Sequence, residues 1–355
     1  MAAEVLTPLT TTNFAQLTAN GVVTGSSYAL VAVGFGMIIH IAHRFHIAYA
    51  AIYALMAFLA AQIQTTYGWP FVPALIVATV IGVIVAVGSE RLVYSPLVRR
   101  VGDRDRALFP VFVASLGLST AIEALINIIW PNPVTTTFGV SAVKLGPIHM
   151  TSLTVTSVIV TWVAILLVAA VIRWTKLGRM IRAVRVNPSL SVDFGIKPSS
   201  MYMIVFAIGT SLGGIGAVFL AAQSAPESDM GENLVLYAIT AAFIAGAASS
   251  PWVIGVLALA MGLIQSWSTF FISSTWSSFV IFAILLIFVM TKAIRAVNWG
   301  RLARGRPKYG SGLVKSAEPA LAQPSPPASA APAQPSSSPE GSAQESQQRE
   351  SGVGQ

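Results

Sequence analysis

One carboxylate lies deep inside an apolar stretch: Glu123, in Ser119-Thr-Ala-Ile-Glu-Ala-Leu-Ile-Asn-Ile-Ile129, with Asn127 one turn further along the same helix face. An ionised group at the centre of a bilayer costs about 3 kcal/mol, so such a side chain faces protein or water. Two chemistries fit: Glu123 holds a cationic group of a solute passing through the chain, or it is protonated or paired and serves helix packing. A secondary carrier for a small polar solute, with Glu123 as its ion or proton site, is the corresponding functional alternative. His40, His43 and His46 invite a metal reading, but three-residue steps along a helix do not converge and no acid or cysteine completes a ligand set. Interfacial histidines are therefore expected, with no metal. Cysteine is absent, which removes disulfides and thiolate chemistry. Glu90 sits at the end of an apolar run beside Arg91 and reads as a structural, interfacial acid. No Gly-x-x-x-x-Gly-Lys-Ser/Thr loop exists to cradle phosphates, so this chain is not expected to be an enzyme or to bind a nucleotide.

These residues need elements to hold them, and the composition says which. Hydrophobic residues make up 55%, charged residues 10%, and mean hydropathy is +0.73, against roughly 25% charged in a soluble domain. A bilayer core of about 30 Å takes about 20 helical residues. Stretches of that kind lie near 14–40, 46–66, 71–91, 108–130, 152–173, 200–222, 234–249, 252–272 and 277–296. The seventh is short and could be a half-span or re-entrant element, tolerated only where protein or water satisfies its backbone. The runs are too long for barrel strands and do not alternate. The expected fold is an all-α, polytopic transmembrane helical bundle of eight or nine spans. Residues 14–300 form the membrane domain, after an N-terminal segment 1–13.

Basic residues cluster in alternate connections, and short cytoplasmic loops retain them. Arg91, Arg99, Arg100, Arg104 and Arg106 mark one such loop; Arg173, Lys176, Arg179, Arg182 and Arg185 mark another. Segment 131–151 carries only Lys144, and 223–233 holds Glu227, Asp229 and Glu232 with no base, so both suit the outer face. Nine crossings place the N-terminus outside and the C-terminus in the cytoplasm. The formal charge of +8 thus reflects membrane topology rather than nucleic-acid binding, with lipid headgroups as contacts. Residues 301–355 are cytoplasmic, and from Ser316 the chain is rich in Pro, Ser, Ala and Gln, a composition expected to stay disordered.

Between the fifth and sixth spans, Leu177, Met180, Ile181 and Val184 recur at helical spacing while Arg179, Arg182 and Arg185 fall on other faces. Asn187-Pro188 ends this helix, Ser189 could cap a second short one, and Gly195 suits its exit. Such a pair could rest on lipid headgroups or dock into a groove of a cytoplasmic partner. Small residues permit close helix approach in lipid, the expected use of Gly209, Gly213, Gly214, Gly216, Gly255 and Gly262.

The run Thr175-Lys-Leu-Gly-Arg-Met-Ile-Arg-Ala-Val-Arg-Val-Asn-Pro-Ser-Leu-Ser-Val-Asp-Phe-Gly-Ile196 resembles the cytoplasmic coupling segment of permeases from the branched-chain amino-acid ABC importer family. Gly21-Val-Val-Thr-Gly-Ser-Ser-Tyr-Ala-Leu-Val-Ala-Val-Gly34, Glu90-Arg-Leu-Val-Tyr-Ser-Pro-Leu97, Ser115-Leu-Gly-Leu-Ser119 and Ala245-Gly-Ala-Ala-Ser-Ser-Pro251 resemble its further motifs in the same order. The resemblance implies a permease subunit translocating branched-chain or related amino acids across the bacterial inner membrane. It implies a second permease subunit, two ATP-binding subunits holding ATP and Mg, and an extracytoplasmic substrate-binding protein. Segment 175–196 would couple to the ATPase through Gly178, Arg179, Arg182, Asn187 and Gly195. Family position adds Tyr28, Ser115 and Gly246 to Glu123 and Asn127 along the pathway. Two departures bear on the substrate: His46-Ile-Ala-Tyr-Ala50 stands where the family typically reads Asn-Phe-Ala-His-Gly, which makes His46 and Tyr49 candidates, and Glu123 stands where Gln is common.

Overall fold

The computed structural model describes residues 11–102, 104–132, 134, 141–145, 148–246 and 250–271, with isolated helical positions from 279 to 291. The chain divides into units Met1–Ala296 and Val297–Gln355, and the described residues all belong to the first. Most of the expected ninth span, and the whole tail, lie outside them.

Helix α1 (Thr11–Met37) runs on into a π-helical turn, Ile38–Ala42. The chain reverses through His43, at φ 53°, and enters α2 (Tyr49–Tyr67). Gly68, at φ 64°, ends α2 before α3 (Phe71–Ser89), a second π-helical turn (Glu90–Tyr94) and α4 (Ser95–Val101). Helix α5 (Arg104–Ile129) carries Pro110 in its early turns. Strands β1 (Ala142–Leu145) and β2 (Ile148–Thr151) form an antiparallel hairpin with Ala142 opposite Thr151. The helices α6 (Ser152–Trp174), α7 (Lys176–Val186), α8 (Pro188–Asp193), α9 (Pro198–Ala221), α10 (Met230–Ala245) and α11 (Pro251–Phe271) complete the bundle.

Among the described residues, six helices are long and apolar enough to cross a membrane: Phe14–Ala42, Phe71–Val101, Arg106–Ile129, Ser152–Trp174, Pro198–Ala221 and Pro251–Thr269. With α2 and the shorter α10 they correspond one for one to the first eight apolar stretches of the sequence. Helix α10 has 16 residues, about 24 Å at 1.5 Å per residue, short of the roughly 30 Å core. Helix α2 carries Tyr49, Tyr53, Gln62 and Gln64, and its first turns are covered by its neighbours: Tyr49, Tyr53, Ile52, Met56 and the alanines between them are all buried. The outer helices show two chemistries instead. On α3, Val72, Ile76, Val80 and Ile84 are exposed at four-residue spacing, while Ala74, Ala78, Gly82 and Ala86 are buried at the same spacing. The bulky stripe meets lipid and the small one lets α2 approach. The hairpin at 142–151 was not expected from the sequence; Gln16 ties it to α1 by accepting from the His149 N–H (2.9 Å) and donating to its carbonyl (3.2 Å).

Glycines set the tightest crossings. A Cβ on Gly25 of α1 would sit 2.6 Å from the Leu259 carbonyl oxygen of α11, and one on Gly262 would meet the Gly25 backbone. On α9, a Cβ at Gly209 would lie 2.7 Å from the Gly34 oxygen of α1, and Gly213 and Gly214 make room for Tyr49 and Thr79. At Gly216 and Gly255 a Cβ would find ordinary clearance, so the packing role expected of the six glycines holds tightly at four.

Candidate functional site

A buried ion pair joins the passage after the first π-helical turn to the first residue of the second. Arg44 Nε lies 3.3 Å from Glu90 Oε2, their side chains 7% and 0% exposed. Ser95 donates to the other Glu90 oxygen at 2.8 Å, and the Arg44 guanidinium lies 5.5 Å from the centre of the Tyr202 ring on α9. Glu90 is thus structural, as expected, but its partner is Arg44 and not its neighbour Arg91, which is exposed.

His46, Tyr49 and Ser115 come together just beyond this pair, in the passage into α2. His46 is fully buried, with Nδ1 2.9 Å from the Tyr94 hydroxyl and its ring against Phe206 and Tyr49. Its Nε2 has no partner among the described residues. Tyr49 donates to the Gly209 carbonyl (3.0 Å), and Ser115 Oγ accepts from the Ala48 N–H (2.9 Å). All three side chains sit in the packed interior, where they fix the start of α2 against α5 and α9. His40 points elsewhere, with Nε2 3.1 Å from the Ala242 carbonyl, so the three histidines diverge.

Glu123 opens onto a cavity. A space of about 190 Å³ lies between the start of α2, α5 and α10, lined by Ile47, Ala50, Ser119, Glu123, Glu232 and Val235 among others. Ser119 donates to Glu123 at 2.9 Å. Glu232, read from the sequence only as a marker of the outer face, shares this cavity from the first turn of α10. Its carboxyl is raised above the ordinary range, first by burial and then by the negative charges of Glu123 and Asp229. Asn127, one turn beyond Glu123, is exposed and does not line the cavity. Tyr28 lies on α1, its hydroxyl donating to Gln265 of α11 at 2.5 Å and its ring 4.5 Å from that of Tyr237. Gly246 ends α10 at φ 82°, a backbone that side chains rarely adopt.

The second locus is segment 175–196. Thr175 caps α7 by accepting from the Gly178 N–H (3.1 Å) while its hydroxyl donates to the Val171 carbonyl at the end of α6 (2.6 Å). Gly178 lies flat on the Val171 and Ile172 carbonyls, where no Cβ would fit. Arg182 reaches back to the same helix end, donating to the carbonyls of Ile172 and Arg173. Helix α7 buries Gly178, Ile181 and Val184 and leaves Arg179 exposed. Asn187, not Ser189, caps α8: its Oδ1 accepts from the Leu190 N–H (3.1 Å) and from the Ser189 hydroxyl (2.7 Å). Asn187 precedes Pro188, which occupies the first helical position without an N–H to satisfy, so the cap falls two residues earlier than Ser189. Gly195 leaves the helix at φ 75°, as its type suggested. Val186, Leu190, Val192 and Phe194 are exposed, Val186 to 82% and Phe194 to 77%. The buried face leads inward: Ile181 and Arg182 border a small cavity with Met37, His40 and Ile41 at the end of α1 and with Pro251 and Ile254 of α11.

The sequence that builds this bundle matches a known family. Residues 17–290 match the model described as branched-chain amino acid transport system, permease component. The chain is 25% identical over 301 residues to the high-affinity branched-chain amino acid transport system permease protein LivH of Escherichia coli, covering 78% of this chain and 93% of that one. It is 24% identical over 294 residues to the corresponding permease protein BraD of Pseudomonas aeruginosa, covering 78% and 94%. Over 91 residues it is 35% identical to the fructose import permease protein FruF of Bifidobacterium longum, covering 25% of each. No solved structure matches the chain. The chain is a membrane protein of the branched-chain amino-acid transport permease family.

Proposed function

We propose that this chain is the translocating subunit of an ATP-driven importer, moving branched-chain or related amino acids inward across the bacterial inner membrane. The observation that carries this reading is the α7–α8 excursion, whose inner face is fixed to α6 by Thr175, Gly178 and Arg182 while Val186, Leu190, Val192 and Phe194 remain uncovered. Apolar side chains held out on a short, capped element suit a groove in a partner better than open water. Its rigid attachment suits the transmission of movement. An ATP-binding subunit pressing on α7 and α8 shifts the end of α6, and through Ile181 the end of α1, tilting both spans. ATP and Mg belong to that partner. A second permease completes the pathway, a binding protein delivers the solute from outside, and the C-terminus is cytoplasmic.

On the pathway, Glu123 and Glu232 face one space and would hold the ammonium group of an amino acid. The same pair would also serve an ion-driven carrier. The two readings separate in proteoliposomes: uptake that requires co-reconstituted ATPase and ATP supports the importer, whereas uptake by this chain alone on an ion gradient would overturn it.

A further inference from the structure

Beside the excursion, on the lipid-facing side of the bundle, α6, α7 and the start of α11 enclose an open cavity of about 800 Å³. Its lining is sorted by chemistry. Leu166, Leu167, Ala169 and Ala170, on the last turns of α6, form an apolar wall; Arg173, Arg182 and Arg185 form a cationic end; Trp174 and Trp252 also line it. Among the described residues no carboxylate lines this space. Arg182 is occupied by the α6 carbonyls, but the guanidinium groups of Arg173 and Arg185 make no ion pair among the described residues. Leu166, Leu167, Trp174 and Trp252 are all exposed by half or more.

We propose that this cavity binds one anionic glycerophospholipid from the leaflet at the basic end. Its phosphate lies against Arg173 and Arg185, its ester region between the two indole rings, and an acyl chain along Leu166 and Leu167. Three features on one surface require such an amphiphile. Unpaired arginines match phosphate oxygens in a fixed fork, tryptophans settle at the headgroup level, and an exposed leucine wall is at rest only against hydrocarbon. A free phosphate ion would satisfy the arginines and leave that wall and both indoles unused. The lipid would sit at the seam where α6 passes into α7, the joint that the proposed coupling moves, yet its binding requires only that this end meet a leaflet and not that an ATPase be present.

The test uses the full-length protein in nanodiscs containing photoactivatable phosphatidylglycerol or the matching phosphatidylcholine probe, with crosslinked peptides mapped by mass spectrometry. The expected result is labelling concentrated on 166–174 and 250–252, with phosphatidylglycerol preferred about tenfold or more, since each arginine near an anionic surface contributes about a factor of five. Arg173→Gln/Arg185→Gln should abolish the preference while leaving phosphatidylcholine labelling in place, and Arg173→Lys/Arg185→Lys should keep part of it. Equal labelling by both probes, a preference unchanged in the Gln variant, or displacement by millimolar inorganic phosphate would overturn the proposal.

Discussion

Removing one member of the Arg44–Glu90 pair should damage this protein more than removing both. With the side chains 7% and 0% exposed and 3.3 Å apart, Glu90→Leu leaves a guanidinium buried without its counter-ion, a loss of about 3–5 kcal/mol. The Tyr202 ring offsets part of this, by about 1 kcal/mol for a partly desolvated cation on an aromatic face. Arg44→Met should fall at the low end of the range, because Ser95 still donates to the carboxylate at 2.8 Å and the acid can take up a proton. The double variant Arg44→Met/Glu90→Leu replaces charge by apolar volume, which at other buried pairs has been neutral or stabilising. It should recover at least half of the Glu90→Leu loss, giving a coupling of about 2–3 kcal/mol between the sites. Equilibrium unfolding of the purified protein in mixed micelles, followed by tryptophan fluorescence, measures the four corners of the cycle. Additive losses, or single losses below about 1 kcal/mol as at an exposed pair, would refute the argument that the Arg44–Glu90 joint is desolvated.

Four further outcomes follow from the same geometry. Gly262→Val must force α11 away from the Gly25 backbone, a destabilisation of about 1–3 kcal/mol visible as a lower melting temperature in detergent. Glu123→Gln should weaken uptake about tenfold, the worth of one charge-assisted hydrogen bond, and transport assays with amino acids and uncharged amides should show the loss for the former alone. Asn187→Ala removes a cap worth about 1 kcal/mol, and Gly178→Val meets the α6 carbonyls; both should lower ATP-driven uptake while leaving membrane insertion, checked by fractionation, unchanged. Because the Glu232 carboxyl is raised in the folded protein, the native state holds more protons than the unfolded one across the pH window between the group's ordinary and raised values. Stability should therefore fall as pH rises through it, and thermal melts of Glu232→Gln should lack this component.

How far the sequence could be read depended on the range of the interaction. Apolar length is local, so the eight helices that match apolar stretches of the sequence were legible within a few residues, including the short α10, whose 16 residues stop at Gly246. The exit of α8 at Gly195 was legible for the same reason, since a positive φ selects glycine. The cap at Asn187 was misassigned to Ser189 because both residue types cap helices, and only the position of Pro188 distinguishes them. Longer-range pairings left no trace. Arg44 and Glu90 stand 46 residues apart, and nothing in either segment announces that they pair or that a π-helical turn lies beside each. Glu232 is exposed like its neighbours Glu227 and Asp229, and its place beside Glu123 on one cavity depends on α5 meeting α10, a pairing far apart in the chain. His46 and Tyr49 were singled out as departures from a family pattern; the structure gives them a packed joint against Tyr94, Phe206 and Gly209, a role that residue type alone does not signal.

The central claim, that an ATPase docks on α7 and α8, is tested most directly by affinity purification of the full-length chain from native membranes in mild detergent, comparing wild type with Phe194→Glu. The account predicts that the wild-type chain brings down an ATP-binding subunit and a second permease with measurable ATPase activity, and that the variant inserts normally but loses the ATPase. A chain that purifies without an ATPase and transports on an ion gradient, or a Phe194→Glu complex of undiminished composition, would contradict it.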